Sequence, residues 1–156
     1  MDASVHIVCP HCDTINRVPR ERLTNHDAGG GRCGHCHQAL FDGHPVALDT
    51  ARFERHLEKS DVPLVVDFWA AWCGPCKAMA PEFERAAATL EPEARLVKVN
   101  VDEEPALAQR FAVRSIPSIV IALHGRELAR VAGARSAAQL VEWVRRELSR
   151  LNVHSN

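Results

Sequence analysis

Six cysteines are the residues of this 156-residue chain whose spacing points most directly to chemistry. They form three Cys-x-x-Cys pairs, at Cys9–Cys12, Cys33–Cys36 and Cys73–Cys76. Two intervening residues allow the sulfurs of a pair either to form a redox-active disulfide or to bind one metal ion. The residues within and around each pair must therefore decide which chemistry it performs.

The Cys73–Cys76 pair encloses Gly-Pro and follows the apolar run Leu64–Trp69, whose β-branched and aromatic residues predict a buried strand. Pro75 favours a helix start because it lacks an N–H that the first turn leaves unpaired. The partial positive charge of a helix N-terminus favours a thiolate at Cys73. We expect Cys73 to attack a substrate disulfide and Cys76, one turn further on, to resolve the mixed disulfide. A metal-binding or structural pair is the alternative, which Gly-Pro disfavours.

The two N-terminal pairs have the spacing of a four-thiolate zinc site. Residues 13–32 separate Cys9 and Cys12 from Cys33 and Cys36. Each pair makes a tight turn that offers two sulfurs, and two such turns complete a tetrahedron around one Zn²⁺. Short strands are predicted at 5–8 and 39–41, and a polar loop at 24–32. The result would be a zinc ribbon that depends on the metal for its folding.

Other ligand sets and other chemistries remain open for these cysteines. His11, His35 and His37 could replace a sulfur, although the turns would aim His11 and His35 outward. A pair of disulfides is a second alternative, which a reducing compartment disfavours. An iron–sulfur site is a third, because four thiolates also suit iron.

Composition excludes several classes of function. A hydrophobic content of 46%, a charged content of 25% and a net charge of −1 are typical of a soluble globular protein. Residues 1–46 contain four Arg and no Lys against five acids, which disfavours nucleic acid as a partner. Residues 1–6 lack the basic region of a signal peptide, and no apolar run is long enough to span a membrane. We expect a monomer in the cytoplasm, with no membrane partner and no bound organic cofactor.

The chain after the junction at residues 42–45 alternates strands and helices. The pattern predicts strands at 46–48, 64–69, 95–101, 118–123 and 127–132. Helices are predicted at 51–59 and 105–111, and two more start at the redox pair and after Ser136. This order indicates an α/β fold, with a mixed central sheet flanked by helices. We divide the chain into a zinc-ribbon-like module at 1–43 and a redox domain at 44–156.

Asp67 is unusual because it interrupts an otherwise apolar strand. Burial disfavours an ionised carboxylate and raises its pKa, so that it could exchange a proton near neutral pH. One interpretation is a general base for Cys76 during resolution. The other is a hydrogen-bonded structural acid, and the residue pattern by itself does not separate the two.

The chain closely resembles the thioredoxin family. The matching stretches run from Val66 to Lys77, Ala80 to Pro81, Lys98 to Asp102 and Arg114 to Pro117, followed by Gly133. They occur in the family's order and spacing, over roughly residues 44–150. With the N-terminal cysteines, the whole chain is similar to bacterial thioredoxins that carry an extra zinc-binding segment. The resemblance implies a thioredoxin fold preceded by a zinc ribbon.

The resemblance also implies roles for individual residues. Asp67 would act as the proton acceptor, with the ammonium of Lys98 close to it; an ordinary exposed lysine is the alternative. The peptide bond before Pro117 would be cis, although trans is the commoner form. The backbone of Ile116 would then pair with an extended substrate. An apolar docking surface would comprise Trp72, Gly74, Pro75, Ile116, Gly133 and Ala134.

The function that the resemblance implies is general protein-disulfide reduction, with re-reduction by an NADPH-dependent thioredoxin reductase. An oxidant or an isomerase is the alternative, and it needs a higher reduction potential. The zinc module could sense oxidation through its thiolates or serve a purely structural role.

Overall fold

The computed structural model describes residues 3–24 and 29–151. Its N-terminal part is a two-stranded antiparallel sheet of β1 (Ser4–Val8) and β2 (Ile15–Pro19), followed by a short 3₁₀ helix at Arg20–Leu23. Ser4 lies opposite Pro19 and Val8 opposite Ile15. This small sheet carries the first cysteine pair at the end of β1.

The rest of the chain forms a five-stranded mixed sheet with helices on both faces, as predicted. Its elements are β3 (Val46–Ala47), α1 (Thr50–Lys59), β4 (Leu64–Trp69), α2 (Gly74–Leu90), β5 (Arg95–Asn100), α3 (Pro105–Arg110), β6 (Ser118–Leu123), β7 (Arg126–Ala132) and α4 (Ala137–Arg150). The strand order is β3-β5-β4-β6-β7. Strands β3, β5 and β4 run parallel, whereas β6 and β7 pair antiparallel to their neighbours.

Alternating side chains of β4 build a separate core on each face of the sheet. Val66 and Phe68 pack with α1 and α3 on one face. Val65 packs with α2 and α4 on the other. Because residues two apart in a strand share a face, Asp67 faces the α2 side, between Val65 and Trp69. The strand thus directs its one carboxylate toward the helix that carries the cysteines.

The ends of the helices follow the capping pattern of the sequence. Asp49 caps α1 by accepting a hydrogen bond of 2.9 Å from the backbone N–H of Arg52. Ser136 and Gln139 form a reciprocal capping box at the start of α4. The turn between β6 and β7 contains His124 and Gly125, both with positive φ, as a two-residue hairpin turn requires. No helix in the described ranges combines the length and apolar character needed to cross a bilayer.

The N-terminal strands differ in part from the prediction. The strand predicted at 5–8 is confirmed, but the one predicted at 39–41 is wrong, because Ala39 makes only an isolated bridge with Arg32. Instead β2 pairs with β1. The sequence does not indicate β2, since Val18 is its only buried residue and a proline ends it. Of the loop predicted at 24–32, residues 25–28 lie outside the described part of the chain.

The N-terminal segment packs directly on the α/β domain, and one hydrophobic cluster joins them. Val62, just before β4, lies in the same buried cluster as Ile7, Leu40 and Phe41. Arg95, at the start of β5, is 3% exposed and donates a hydrogen bond of 3.2 Å to the carbonyl of Val8. Its guanidinium lies 4.0 Å from the centroid of the Phe41 ring. These contacts lie at the beginnings of β4 and β5, the end of the sheet opposite the redox pair.

A second set of contacts ties the first cysteine turn to α1. The carboxylate of Asp13 accepts two hydrogen bonds from Arg52, at 2.8 and 3.0 Å. It also lies 3.0 Å from Nε2 of His56, which is 1% exposed. Arg52 donates a further bond of 2.7 Å to the carbonyl of Pro10. The turn therefore rests on α1 through charged groups, and not through apolar packing alone.

Candidate active site and metal centre

The redox pair lies at the N-terminus of α2, where the sequence placed it. Cys73 is the N-cap, and its Sγ accepts a hydrogen bond of 3.2 Å from the backbone N–H of Cys76. Pro75 lies in the first turn. The two cysteines are bonded as a disulfide with their Cα atoms 5.2 Å apart, and both are buried. The free N–H groups and partial positive charge of the helix start therefore surround Cys73.

Asp67 is buried on the same face of β4 as Trp69, which packs with Cys73 and Cys76. The carboxylate is 1% exposed, and within the described ranges no group hydrogen-bonds to its Oδ1. Burial raises the pKa of Asp67 to about 7, against a smaller lowering by the positive charge of Lys98. A carboxyl with such a pKa can take up or release a proton at neutral pH.

Lys98 lies beside this carboxyl. It is the register partner of Asp67 on the neighbouring strand β5. Its Nζ lies 4.6 Å from the centroid of the Trp69 ring, within the range of a cation–π interaction. Lys98 is half-buried against the indole, and its positive charge acts on the Asp67 carboxyl.

A second backbone segment lies against the cysteines. The Ile116–Pro117 peptide bond is cis, as the resemblance implied. The carbonyl oxygen of Ile116 lies 3.8 Å from Sγ of Cys73. The carbonyl of Pro117 accepts a hydrogen bond of 2.9 Å from the N–H of Gly133. Cys73, Ile116 and Gly133 therefore border one surface.

The apolar part of that surface is exposed. Trp72 is 70% exposed, an unusual state for a large aromatic side chain, and Gly74, Pro75 and Ala134 are also exposed. The indole Nε1 of Trp72 donates a hydrogen bond of 2.8 Å to Oδ2 of Asp102. Sequence reasoning assigned no role to Asp102, although it belongs to the matched stretch at 98–102.

The four N-terminal cysteines converge as predicted. All four Sγ atoms lie within 4.8 Å of one another. The Cys9–Cys36 and Cys12–Cys33 sulfur pairs are both 3.6 Å apart. Tetrahedral zinc with Zn–S bonds of about 2.3 Å places its sulfurs about 3.8 Å apart. His11, His35 and His37 are exposed and do not belong to the cluster.

Hydrogen bonds to the sulfurs also fit a metal centre. The N–H of His11 donates to Sγ of Cys9 at 3.4 Å, and the N–H of His35 donates to Sγ of Cys33 at 3.3 Å. The side-chain amide of Asn16 adds a bond of 3.4 Å to Cys33. Burial opposes ionisation of Cys33, but the N–H of Cys36, the side-chain amide of Asn16 and the N–H of His35 lower its pKa to about 5. The local donors thus favour the metal-binding thiolate form at Cys33, whereas burial raises the pKa of Cys9 to about 12. The motif spacing gave no signal for Asn16.

Comparison with known proteins matches two separate stretches of the chain to family models. Residues 44–146 match the thioredoxin family model. The chain belongs to the thioredoxin family. Residues 8–38 match a second model, a zinc ribbon described as the N-terminal part of thioredoxin 2. Members of the family are thiol-disulfide oxidoreductases that act on protein disulfides and are themselves reduced by thioredoxin reductase. The chain is accordingly a thiol-disulfide oxidoreductase, with Cys73 and Cys76 at disulfide distance.

Individual relatives support the assignment, one of them over most of the chain. Thioredoxin C-3 of Corynebacterium nephridii is 40% identical over 142 residues, covering 91% of this chain and 94% of that protein. Thioredoxin of Rhodospirillum rubrum is 42% identical over 97 residues, which is 62% of this chain and 93% of its own. A solved Malassezia sympodialis thioredoxin superposes with a TM-score of 0.63 at 30% identity, covering 72% of this chain and 98% of that structure. A chloroplastic thioredoxin z gives a TM-score of 0.61 at 31% identity, over 68% and 96%.

Proposed function

We propose that this protein is a general protein-disulfide reductase that uses the Cys73–Cys76 couple, and that an NADPH-dependent thioredoxin reductase restores its dithiol. The observation that carries the proposal is the position of Cys73. It caps α2 and lies beside the Ile116 carbonyl, on a surface that also exposes Trp72. A thiol at a helix N-terminus, beside free backbone and an apolar platform, suits attack on an extended protein segment.

The reaction proceeds in two exchanges. The thiolate of Cys73 attacks one sulfur of the substrate disulfide, forms a mixed disulfide and releases the other sulfur as a thiolate, which takes a proton from water. Cys76 then loses its proton and attacks Sγ of Cys73. This step forms the Cys73–Cys76 disulfide and releases the second substrate thiol. Two electrons have moved from the protein to the substrate.

We assign proton transfer in the second exchange to Asp67. Its carboxyl faces α2, has a pKa of about 7 and lacks a hydrogen-bond partner at Oδ1 within the described ranges. An ionised Asp67 can accept the Cys76 proton and return it when the disulfide is reduced again. Lys98 would stabilise the ionised carboxylate and so keep its pKa near neutrality.

Substrate docking is assigned to the surface around Cys73. An extended substrate segment would pair with the backbone of Ile116, and Pro117 would hold that segment beside the thiols. The remaining docking residues are Trp72, Gly74, Pro75, Gly133 and Ala134.

We propose that Cys9, Cys12, Cys33 and Cys36 hold one Zn²⁺ with a structural role. The convergence of four sulfurs and the N–H groups aimed at them support zinc. The ion would supply Lewis-acid charge that keeps four thiolates together. Zinc thiolates need a reducing compartment, so we place the protein in the cytoplasm, as a monomer. The division at residue 43 into a module and a redox domain is part of the same proposal.

A redox-sensing role is the second candidate for the cluster. It is favoured by Cys12 and Cys36, which are partly exposed and therefore accessible to peroxide. The zinc content per chain, measured while reduced protein is oxidised stepwise, distinguishes the structural role from the sensing role. Zinc that stays while Cys73 and Cys76 oxidise supports the structural role. Zinc that leaves as those two oxidise supports the sensor.

Reductase function is tested with a disulfide-bonded protein substrate, NADPH and thioredoxin reductase. Wild-type protein should support NADPH consumption, and Cys76→Ser should accumulate a mixed disulfide through Cys73. Equilibration against glutathione buffers then distinguishes a reductase from an oxidant. A couple that is already reduced in a mildly oxidising buffer would contradict the proposal.

A further inference from the structure

Arg135 lies at the edge of the proposed docking surface, directly after Gly133 and Ala134. Its Nη1 donates a hydrogen bond of 3.3 Å to the carbonyl of Ala134. Gly133 has a φ of +96°, and a Cβ built there would lie 3.3 Å from the same Nη1. The guanidinium therefore lies against the backbone of the loop whose Gly133 N–H bonds to Pro117.

In the described part of the chain, no neighbouring acid neutralises the positive charge of Arg135. Among residues 3–24 and 29–151, no carboxylate lies within ion-pair distance of it. Arg135 also lines a cleft of roughly 230 Å³ with Glu142 and Arg146, and Glu142 already pairs with Arg146 at 3.5 Å. The side chain is half-buried, so its charge is held in place next to the docking loop.

We propose that Arg135 is a specificity-determining residue that favours disulfide substrates carrying Asp or Glu beside the reacting cystine. A substrate segment paired with the Ile116 backbone passes next to the Gly133–Ala134 loop. A carboxylate at that point meets a guanidinium with free donors, which can bind it in a bidentate way. A Lys or Arg at the same point meets a like charge. The inference rests on the proposed reductase function and docking surface.

The test uses two cystine-linked model peptides that differ only in Glu or Lys next to the cysteine. The second-order rate constant for reduction by reduced full-length protein is measured for each at low salt. We expect wild type to reduce the Glu peptide about threefold to fivefold faster, as one partly exposed ion pair allows. The preference should shrink in Arg135→Gln, persist in Arg135→Lys and reverse in Arg135→Glu. In 1 M salt it should disappear.

Arg150→Gln is the matched control. It removes a positive charge from the far end of α4, about 20 Å along the helix, and should keep the wild-type ratio. An equal preference in wild type and Arg135→Gln would overturn the assignment. If wild type reduced neither peptide, the reductase function itself would be wrong, and Arg135 would not be the cause.

Discussion

The redox pair and the two N-terminal cysteine pairs share the Cys-x-x-Cys spacing but differ in backbone conformation and in chemistry. In the two N-terminal turns, the residue after the second cysteine has positive φ: 64° at Asp13 and 65° at His37. Its N–H donates to the carbonyl of the first cysteine, at 3.0 Å in one turn and 2.9 Å in the other. At Cys73 no such reversal follows, and the chain continues into α2.

This difference teaches that the residues around a cysteine pair decide its chemistry. A reversed turn aims both sulfurs at one point, where a second turn can complete a tetrahedron. A pair at a helix start instead places the first sulfur at the N-cap, among free N–H groups. The second arrangement favours a thiolate at the first sulfur, which can then exchange with a substrate disulfide.

The largest effect should come from replacing a single cysteine in each of the two regions. Cys73→Ser removes the nucleophile and should reduce disulfide reduction to the background rate. Cys33→Ser removes one metal ligand and should leave the exchange reaction in place. NADPH-coupled turnover and zinc content per chain are measured for both variants. Turnover by Cys73→Ser would show that the nucleophile has been assigned to the wrong residue.

Loss of the metal should unfold one region and spare the other. Structural zinc contributes about 10–16 kcal/mol to the folding of small zinc peptides, so metal-free or Cys33→Ser protein should lose the fold around β1 and β2. Hydrogen exchange should show unprotected amides there, with β4 and β6 still protected. Exchange throughout the chain would instead show that residues 44–156 do not fold independently.

Asp67 should make the stability of the redox region depend on pH. Its pKa is 3.8 in the unfolded reference and about 7 in the folded protein, so the folded state binds more protons between these values. Stability therefore falls as pH rises from about 4 to 7, by about 2–4 kcal/mol in total. Asp67→Asn should unfold at higher denaturant than wild type at pH 8, and the difference should vanish below pH 4.

The pH experiment compares the unfolding free energies of wild type and Asp67→Asn, because the curve of one protein alone does not isolate Asp67. Glu91 is also buried, which raises its pKa to about 7, so both proteins lose stability over the same range through that group. If the difference between wild type and Asp67→Asn did not change with pH, Asp67 would not be the titrating carboxyl. The same variant should also resolve mixed disulfides more slowly, because Cys76 loses its proton acceptor.

A smaller effect is expected where the two regions meet. Glu91 is 5% exposed and accepts hydrogen bonds of 3.1 Å from the N–H groups of Gly43 and Leu96, while its charge acts on the buried Arg95. Glu91→Gln turns an NH2 group toward one of these two N–H groups and leaves it without an acceptor, which should cost about 1–3 kcal/mol. Glu142→Gln removes an exposed partner of Arg146 and should cost well under 1 kcal/mol. Equal losses of unfolding free energy in Glu91→Gln and Glu142→Gln, measured by urea denaturation, would contradict a buried interface at Glu91.

The smallest effect should come from the platform beside Cys73. Trp72→Phe keeps an aromatic ring but removes the hydrogen bond from Nε1 to Asp102. We expect kcat/KM for protein disulfides to fall about twofold to fivefold without a change in thermal stability, because one exposed hydrogen bond contributes about 1 kcal/mol. Asp102→Asn, which leaves a side-chain oxygen as acceptor, should lose less. An unchanged kcat/KM in Trp72→Phe would show that the hydrogen bond from Trp72 to Asp102 does not contribute to substrate docking.

The sequence predicted those parts of the molecule whose signals are local. The strand at 64–69, the helix start at Pro75 and the cysteine spacing each lie within a few residues. The cis bond at Pro117 came from family resemblance, since no residue pattern distinguishes it from the commoner trans form.

What the sequence did not predict depends on residues far apart in the chain. Asp13 meets Arg52 across 39 positions, and Val8 meets Arg95 across 87. Such pairs leave no periodic pattern, because residues so far apart in the chain give no local signal of their contact. Asn16, which bonds to a cluster sulfur, was missed for the same reason.

The shared cluster around Val62 has a consequence for the order of events during synthesis. The N-terminal turns leave the ribosome first, yet Val62 follows tens of residues later and Arg95 later still. Until then β1 and β2 are held by each other, by the four cysteines and by nearby apolar residues such as Leu40 and Phe41. The proposed Zn²⁺ would hold the two turns together before Val62 and Arg95 emerge, so metal supply during translation would affect the folding of this segment.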